Sequence, residues 1–204
     1  MSAIVEQFAN YPRQGNFEEK RQLILREAAR LFVEKGVHET SLNEIAGNFH
    51  ISKPALYHYA NSKDHIITQI LDAATVGNRA MLDAAHAHPG SGLEKLLKAL
   101  SLYGDAMNTE FGRCMAMIQP SAYSDATREL HRKTHRILLD GMAQIVNIGI
   151  ADGSIRACQP KVLVLALLNC LNSTVRWFDP GGVMSRNAVL EELLGYFLDG
   201  VQTR

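Results

Sequence analysis

Nineteen consecutive residues, Ile45 to Lys63, carry no carboxylate, although Glu44 and Asp64 stand on either side of them. Within this window lie His50, Ser52, Lys53, Tyr57, His58, Tyr59, Asn61, Ser62 and Lys63. Lysines, hydroxyls and helix N-terminal N–H groups attract phosphate, whereas a carboxylate facing phosphate repels it. Such a window suits a nucleic-acid backbone, although a small helical bundle with an accidental acid gap would read alike. A second cluster, Arg128 to Arg136, sets Arg128, Arg132 and either His135 or Arg136 on one helical face. That face could hold a phosphate or carboxylate head group, and a merely solvated surface has the same composition. His131 and His135 have the i,i+4 interval of a metal pair, but no third ligand accompanies them, so no metal and no cofactor is expected. A glycine-rich phosphate loop, a GxSxG elbow and an HExxH helix are all missing from the 204 residues, and no enzyme is expected.

The elements that must position these residues are helices. Phe17, Ile24, Ala28, Leu31 and Phe32 recur at helical spacing and leave Lys20, Arg21, Glu27, Arg30 and Glu34 for solvent. Asn16 with Glu19 is a start signal, and Gly36 can close the helix in a left-handed position. The preceding residues, 1–15, have no period and contain Pro12 and Gly15, which predicts a loose arm. Ser41 and Glu44 form a capping-box pattern opening a short helix to Phe49; Ser52 caps another, with Pro54 in its first turn, reaching about Tyr59. Two short helices separated by a three- or four-residue turn make a helix-turn-helix, whose second helix enters the DNA major groove. Asn61 to Asp64 then cap a long helix with Ile66, Ile67, Ile70, Leu71 and Ala74 as its stripe. Beyond the break at His88 to Gly92, further helices are expected over Leu93–Met107, Asp125–Ala151, Pro160–Phe178 and Ser185–Val201.

Three segments closely resemble the signature of TetR-family transcriptional regulators: Thr40 to Ala46, Ile51 to Tyr59, and Ser62 to Asp64, with Ala28 to Phe32 and Lys35-Gly36 upstream. The resemblance covers about residues 17 to 67. It implies an all-α protein with an N-terminal three-helix DNA-binding domain (16–65) and a larger helical effector-binding and dimerisation domain (66–204). It further implies a homodimeric repressor that binds a palindromic operator in double-stranded DNA. By this resemblance Thr40 and Ser41 look like phosphate contacts. Ser52, Lys53, Pro54 and Ala55 form the exposed front of the recognition helix; Tyr57, His58 and Lys63 look like further DNA contacts. Leu56 reads as core, and Tyr59 as either core or a backbone contact. Two departures stand out: His50 occupies the family's usual turn glycine, and Ala60 stands where an aromatic usually packs, which predicts a looser core beneath the recognition helix.

The C-terminal half matches less specifically. Asn169 to Gly182 resembles a subset with an aromatic pair before Pro-Gly, some of whose members answer acyl-thioester or other hydrophobic effectors. An adaptable apolar chamber is expected from Phe111, Cys114, Met115, Met117 and Ile118, with Trp177 and Phe178 opposite and Arg128 and His135 for any anionic head group; the same residues would serve as plain core. Leu163, Leu167 and Leu171 on one helix and Leu190, Leu194, Phe197 and Leu198 on the next are the expected dimer seam, a four-helix contact between copies. A protein partner in place of a small ligand is the alternative. Composition narrows the field. Twenty-one basic and twenty-one acidic residues cancel, which excludes a uniformly basic coat but not a local patch. Three cysteines without a CxxC pair read as reduced thiols. The most apolar run, Val162 to Leu168, has seven residues where a membrane helix needs about twenty. With no signal peptide recognised, a cytoplasmic protein without membrane contact is expected.

Overall fold

A computed structural model describes residues 3–9, 17–179 and 181–201. Among these the chain is all-α. The helices are α1 (Ala3–Ala9), α2 (Phe17–Lys35), α3 (Leu42–Asn48), α4 (Lys53–Tyr57), α5 (Lys63–Ala87), α6 (Gly92–Ala106), α7 (Glu110–Met117), α8 (Asp125–Ala151), α9 (Pro160–Trp177) and α10 (Arg186–Val201). None is long and apolar enough to cross a membrane. The chain forms two compact units: Met1–Ala74 with Thr109–His131, and Thr75–Asn108 with Arg132–Arg204.

The first unit is built on α2. Ile24, Ala28, Leu31 and Phe32 are buried as their spacing predicts, and Gly36 closes the helix at φ +89°. Glu27 departs from the solvent-facing role expected for it: it is completely buried. Its carboxylate accepts bonds from Arg30 Nε (2.9 Å), Arg30 Nη2 (2.7 Å) and Asn48 Nδ2 (2.8 Å), and so ties α2 to α3 with its charge satisfied. The loose arm expected at the N-terminus is instead helical over Ala3–Ala9. Val5 is buried, and the Phe8 ring packs on Phe49 at 4.6 Å. Two aromatic rings and a buried valine organise a stretch too short to show a period. Asn16, the expected cap of α2, lies outside the described residues, as do Pro12 and Gly15. Helix α7 was not anticipated as a separate element; Thr109 caps it by accepting from Gly112 N at 3.1 Å, and it packs on α2.

The second unit has its own core, centred on Leu96, Leu100, Met142, Ile145, Val146, Val164 and Leu168. Ser91 and Glu94 form a full capping box at the start of α6. There Gly92 lies so close to α8 that a Cβ would sit 2.1 Å from the Gly149 nitrogen, so only glycine permits the two backbones to meet.

Candidate nucleic-acid interface

The two helices of the helix-turn-helix, α3 and α4, which form the DNA reader, are each started by a hydroxyl. Ser41 Oγ accepts from Glu44 N (3.0 Å) at α3, and Ser52 Oγ from Ala55 N (3.3 Å) at α4. The Glu44 carboxylate pairs with Lys35; that bond first, and the Ser41 backbone N–H expected of a capping box as well, hold its pKa below the ordinary carboxylate value. Between the helices, His50 N donates to Gly47 O (3.0 Å) and Ile51 N to Ala46 O (3.1 Å). This bond pair defines a Schellman end, which requires a left-handed residue at its turn. His50 supplies it at φ 54°, the position where the sequence departs from the family's glycine.

Helix α4 then has two distinct sides. Leu56 is completely buried, anchoring the helix, while Ser52, Lys53, Pro54, Tyr57 and His58 are exposed and Ala55 is half-buried. Lys53 Nζ lies 5.7 Å from the centre of the Tyr57 ring, within cation–π range. None of these exposed residues is a carboxylate. Tyr59 resolves towards packing: it is half-buried and stacks on Phe17 at 4.8 Å and 15°. Ala60 beside it is fully buried, so the aromatic packing at this corner comes from Tyr59.

Two of the expected DNA contacts are placed otherwise. Thr40 is 1% exposed, and its hydroxyl donates to Gly36 O at 2.9 Å; it closes the α2–α3 loop from inside and presents no hydroxyl to a phosphate. Lys63 Nζ donates to Val37 O (2.6 Å) and His38 O (3.0 Å), clipping the start of α5 to the same loop. A carbonyl pair within reach decides the direction of a flexible lysine, and spacing alone does not reveal it.

The residues expected to line an effector chamber are divided between the two units. Cys114 and Ile118 belong to the buried core of the first unit, with Phe111 and Met115 packed against it and Met117 half-buried. Burial pushes the Cys114 thiol up to about 12. Trp177 and Phe178 belong to the second unit. Trp177 is 55% exposed with Nε1 donating to Ser173 Oγ at 3.2 Å, and the Phe178 ring lies under the Arg186 guanidinium at 4.4 Å. Arg128 donates to Asp125 Oδ1 (2.7 Å) and Tyr123 O (3.2 Å) at the start of α8, which engages the cation expected to meet a head group; His135 is exposed. Sequence reasoning passed over Tyr123, which is 5% exposed with a hydroxyl that meets no partner. Its ring lies 5.5 Å from that of His131, and burial, reinforced by Cys114, raises its phenol pKa. It also passed over a small cleft in the second unit, partly open to solvent and lined by Met107, Asn108, Leu171, Thr174, Arg186 and Leu190.

The residues expected at the dimer seam divide between core and its edge, where Leu163, Leu190, Leu194 and Phe197 are only half-buried. Leu167 and Leu171 are buried in the second unit, with Leu163, Leu190, Leu194 and Phe197 packed against the same cluster; the Leu198 side chain lies outside the described residues. A leucine stripe on a helix marks its most apolar side, and the protomer's own core takes that side first.

A helix-turn-helix with an exposed, acid-free second helix, joined to a helical second unit, defines a DNA-binding regulator. Residues 24–74 match the family model described as bacterial regulatory proteins, tetR family, and residues 89–201 match the Tetracyclin repressor-like C-terminal domain. The chain belongs to the TetR family of transcriptional regulators, proteins that are not enzymes. Among its relatives, the HTH-type transcriptional repressor KstR2 of Rhodococcus jostii (strain RHA1) is 26% identical over 197 residues, covering 89% of this chain and 91% of that protein. PfmR, a TetR family transcriptional regulator from Thermus thermophilus, is 28% identical with a TM-score of 0.78, covering 88% of this chain and 99% of the other. AibR, solved in complex with isovaleryl coenzyme A and operator DNA, shares the fold at 19% identity and a TM-score of 0.77, covering 86% of this chain and 96% of the other.

Proposed function

We propose that this protein is a homodimeric repressor that binds a palindromic operator through α4 and leaves it when a small, largely hydrophobic effector binds. The carrying observation is the exposed face of α4, where Ser52, Lys53, Pro54, Tyr57 and His58 form a surface without a carboxylate. Ser41, exposed at the cap of α3, adds a hydroxyl for the backbone. Zero net charge makes non-specific attraction small, so affinity depends on two readers held together, spaced about 34 Å on the duplex. The KstR2 relative, named a repressor, supports the direction of regulation. Asn169 to Gly182 resembles acyl-thioester responders, and AibR binds isovaleryl coenzyme A; both support an acyl-thioester or similar effector.

With Leu167 and Leu171 in the core, the dimer seam falls to what α9 and α10 leave at least partly outside, the half-buried Leu163, Leu190, Leu194 and Phe197 among them. The most exposed large apolar side chains among the described residues are Val162 (65% exposed), Leu165 and Trp177 on α9 and Tyr196 (71%) on α10. A second copy covering this stripe would remove apolar surface that water otherwise meets. The decisive test is a gel shift on DNA from the neighbouring promoter with Lys53→Ala. Its affinity should fall, and its salt dependence should lose about one phosphate's worth of slope. Unchanged affinity and slope would remove Lys53 from the interface.

A further inference from the structure

Tyr123 places a polar group where the protein offers it nothing. The side chain sits in the same apolar cluster as Cys114 and Ile118, with Phe111, Met115 and Leu130 packed against that cluster. Only 5% of the residue is exposed, and the hydroxyl has no hydrogen-bond partner among the described residues. Leaving a buried hydroxyl unpaired costs stability that a phenylalanine would not. A buried hydroxyl left without a partner calls for an explanation, and an acceptor arriving from outside the chain supplies one.

The surroundings state which acceptor. The cluster is hydrocarbon with a thiol and a thioether, soft groups that adapt to an apolar ligand, and the His131 ring lies 5.5 Å from the tyrosine ring. The tyrosine hydroxyl, a neutral donor set among them, suits a neutral carbonyl, as in a ketone or an acyl thioester, flanked by hydrocarbon. A carboxylate would lose its hydration there for one bond.

The next residue links this hydroxyl to the reader. Ser124 donates from its N–H (3.0 Å) and its hydroxyl (2.9 Å) to Asp64, and the Thr127 hydroxyl donates to the same carboxylate (2.9 Å). Asp64 follows Lys63, whose ammonium holds the Val37 and His38 carbonyls of the α2–α3 loop. Bonded neighbours therefore run from Tyr123 to the loop that leads into Ser41 and the DNA-reading helices, all within the first unit.

We propose that the Tyr123 hydroxyl is the effector's hydrogen-bond donor, taking a neutral carbonyl of an apolar ligand, and that the Ser124–Asp64 bonds carry its occupation to the α2–α3 loop. This rests on the reading of the chain as an effector-responsive regulator and supplies the chemistry of that response. Thermal melts of the full chain with isovaleryl-coenzyme A, octanoyl-coenzyme A and 2-nonanone test it without DNA. At least one probe should stabilise the wild type. Tyr123→Phe alone should melt at or above the wild type, and its apparent affinity for that probe should fall about tenfold, the scale of one lost hydrogen bond. A lower melting point for the unliganded variant would show the hydroxyl already satisfied and overturn the proposal, as would unaltered probe affinity or no response of the wild type to any probe. Hydrogen exchange at residues 37–41 should change on probe binding in the wild type and not in Ser124→Ala; a change that persists in Ser124→Ala overturns the connection. Operator affinity measured without any probe tests the DNA reading separately, so either result can fail alone.

Discussion

Replacing His50 with glycine should stabilise the protein. His50 holds φ 54° at the turn of the helix-turn-helix, fixed there by the bonds from His50 N to Gly47 O and from Ile51 N to Ala46 O. A residue with a Cβ gives up about 1–2 kcal/mol in this conformation relative to glycine. Glycine's freer unfolded chain returns about 0.5–1 kcal/mol of that. The imidazole is exposed, so its removal uncovers no core. The net gain is about 0.5–1 kcal/mol, equivalent to about 2 °C in melting temperature for a chain of this size. Calorimetry or urea unfolding of the wild type, His50→Gly and His50→Ala measures it, with the alanine variant expected near the wild type because it keeps the Cβ. A glycine variant no more stable than the wild type, or an alanine variant that gains as much, would refute backbone strain as the source.

The remaining predictions concern Asp64 and the seam between copies. Burial would raise the Asp64 pKa, but the bonds from Ser124 and Thr127 outweigh it and hold the value below the ordinary 3.8. The folded pKa thus lies under the unfolded one, so the carboxylate stabilises the fold at neutral pH and ceases to do so as pH falls from 3.8 through the lowered value. Asp64→Asn should therefore destabilise at neutral pH and matter less in strong acid; an equal loss at both, read by urea unfolding, contradicts the assignment. Val162→Glu, at a position 65% exposed, should leave the fold intact and yield monomers in light scattering; a persisting dimer would place the seam elsewhere. Leu167→Ala, by contrast, removes a buried side chain and should cost about 2–5 kcal/mol in unfolding free energy.

The reader was the most legible part of the molecule because its signals are local. Ser41 and Ser52 cap the helices they precede, Gly36 and His50 take the left-handed turns, and Leu56 alternates with an exposed face. Each depends on neighbours three or four residues away, which spacing reports directly. What failed depended on partners far along the chain. Glu27 is buried because Asn48 reaches it, Thr40 turns inward to Gly36, and Lys63 reaches back to Val37. Helix α1 escaped notice because its order comes from Phe8 meeting Phe49 rather than from a period of its own.

The amino-acid sequence by itself determined an all-α chain, the helix-turn-helix, and an acid-free recognition face, since helix periodicity, caps and charge are properties of short stretches. Only the tertiary structure decided which apolar sides face inward. It committed Leu167 and Leu171 to the protomer's core and left Val162, Trp177 and Tyr196 outside. It also drew Cys114 into the first unit and left the Tyr123 hydroxyl buried among apolar neighbours. A hydrophobic stripe states that a surface must be covered; what covers it is settled by packing, which brings together residues that no local spacing relates.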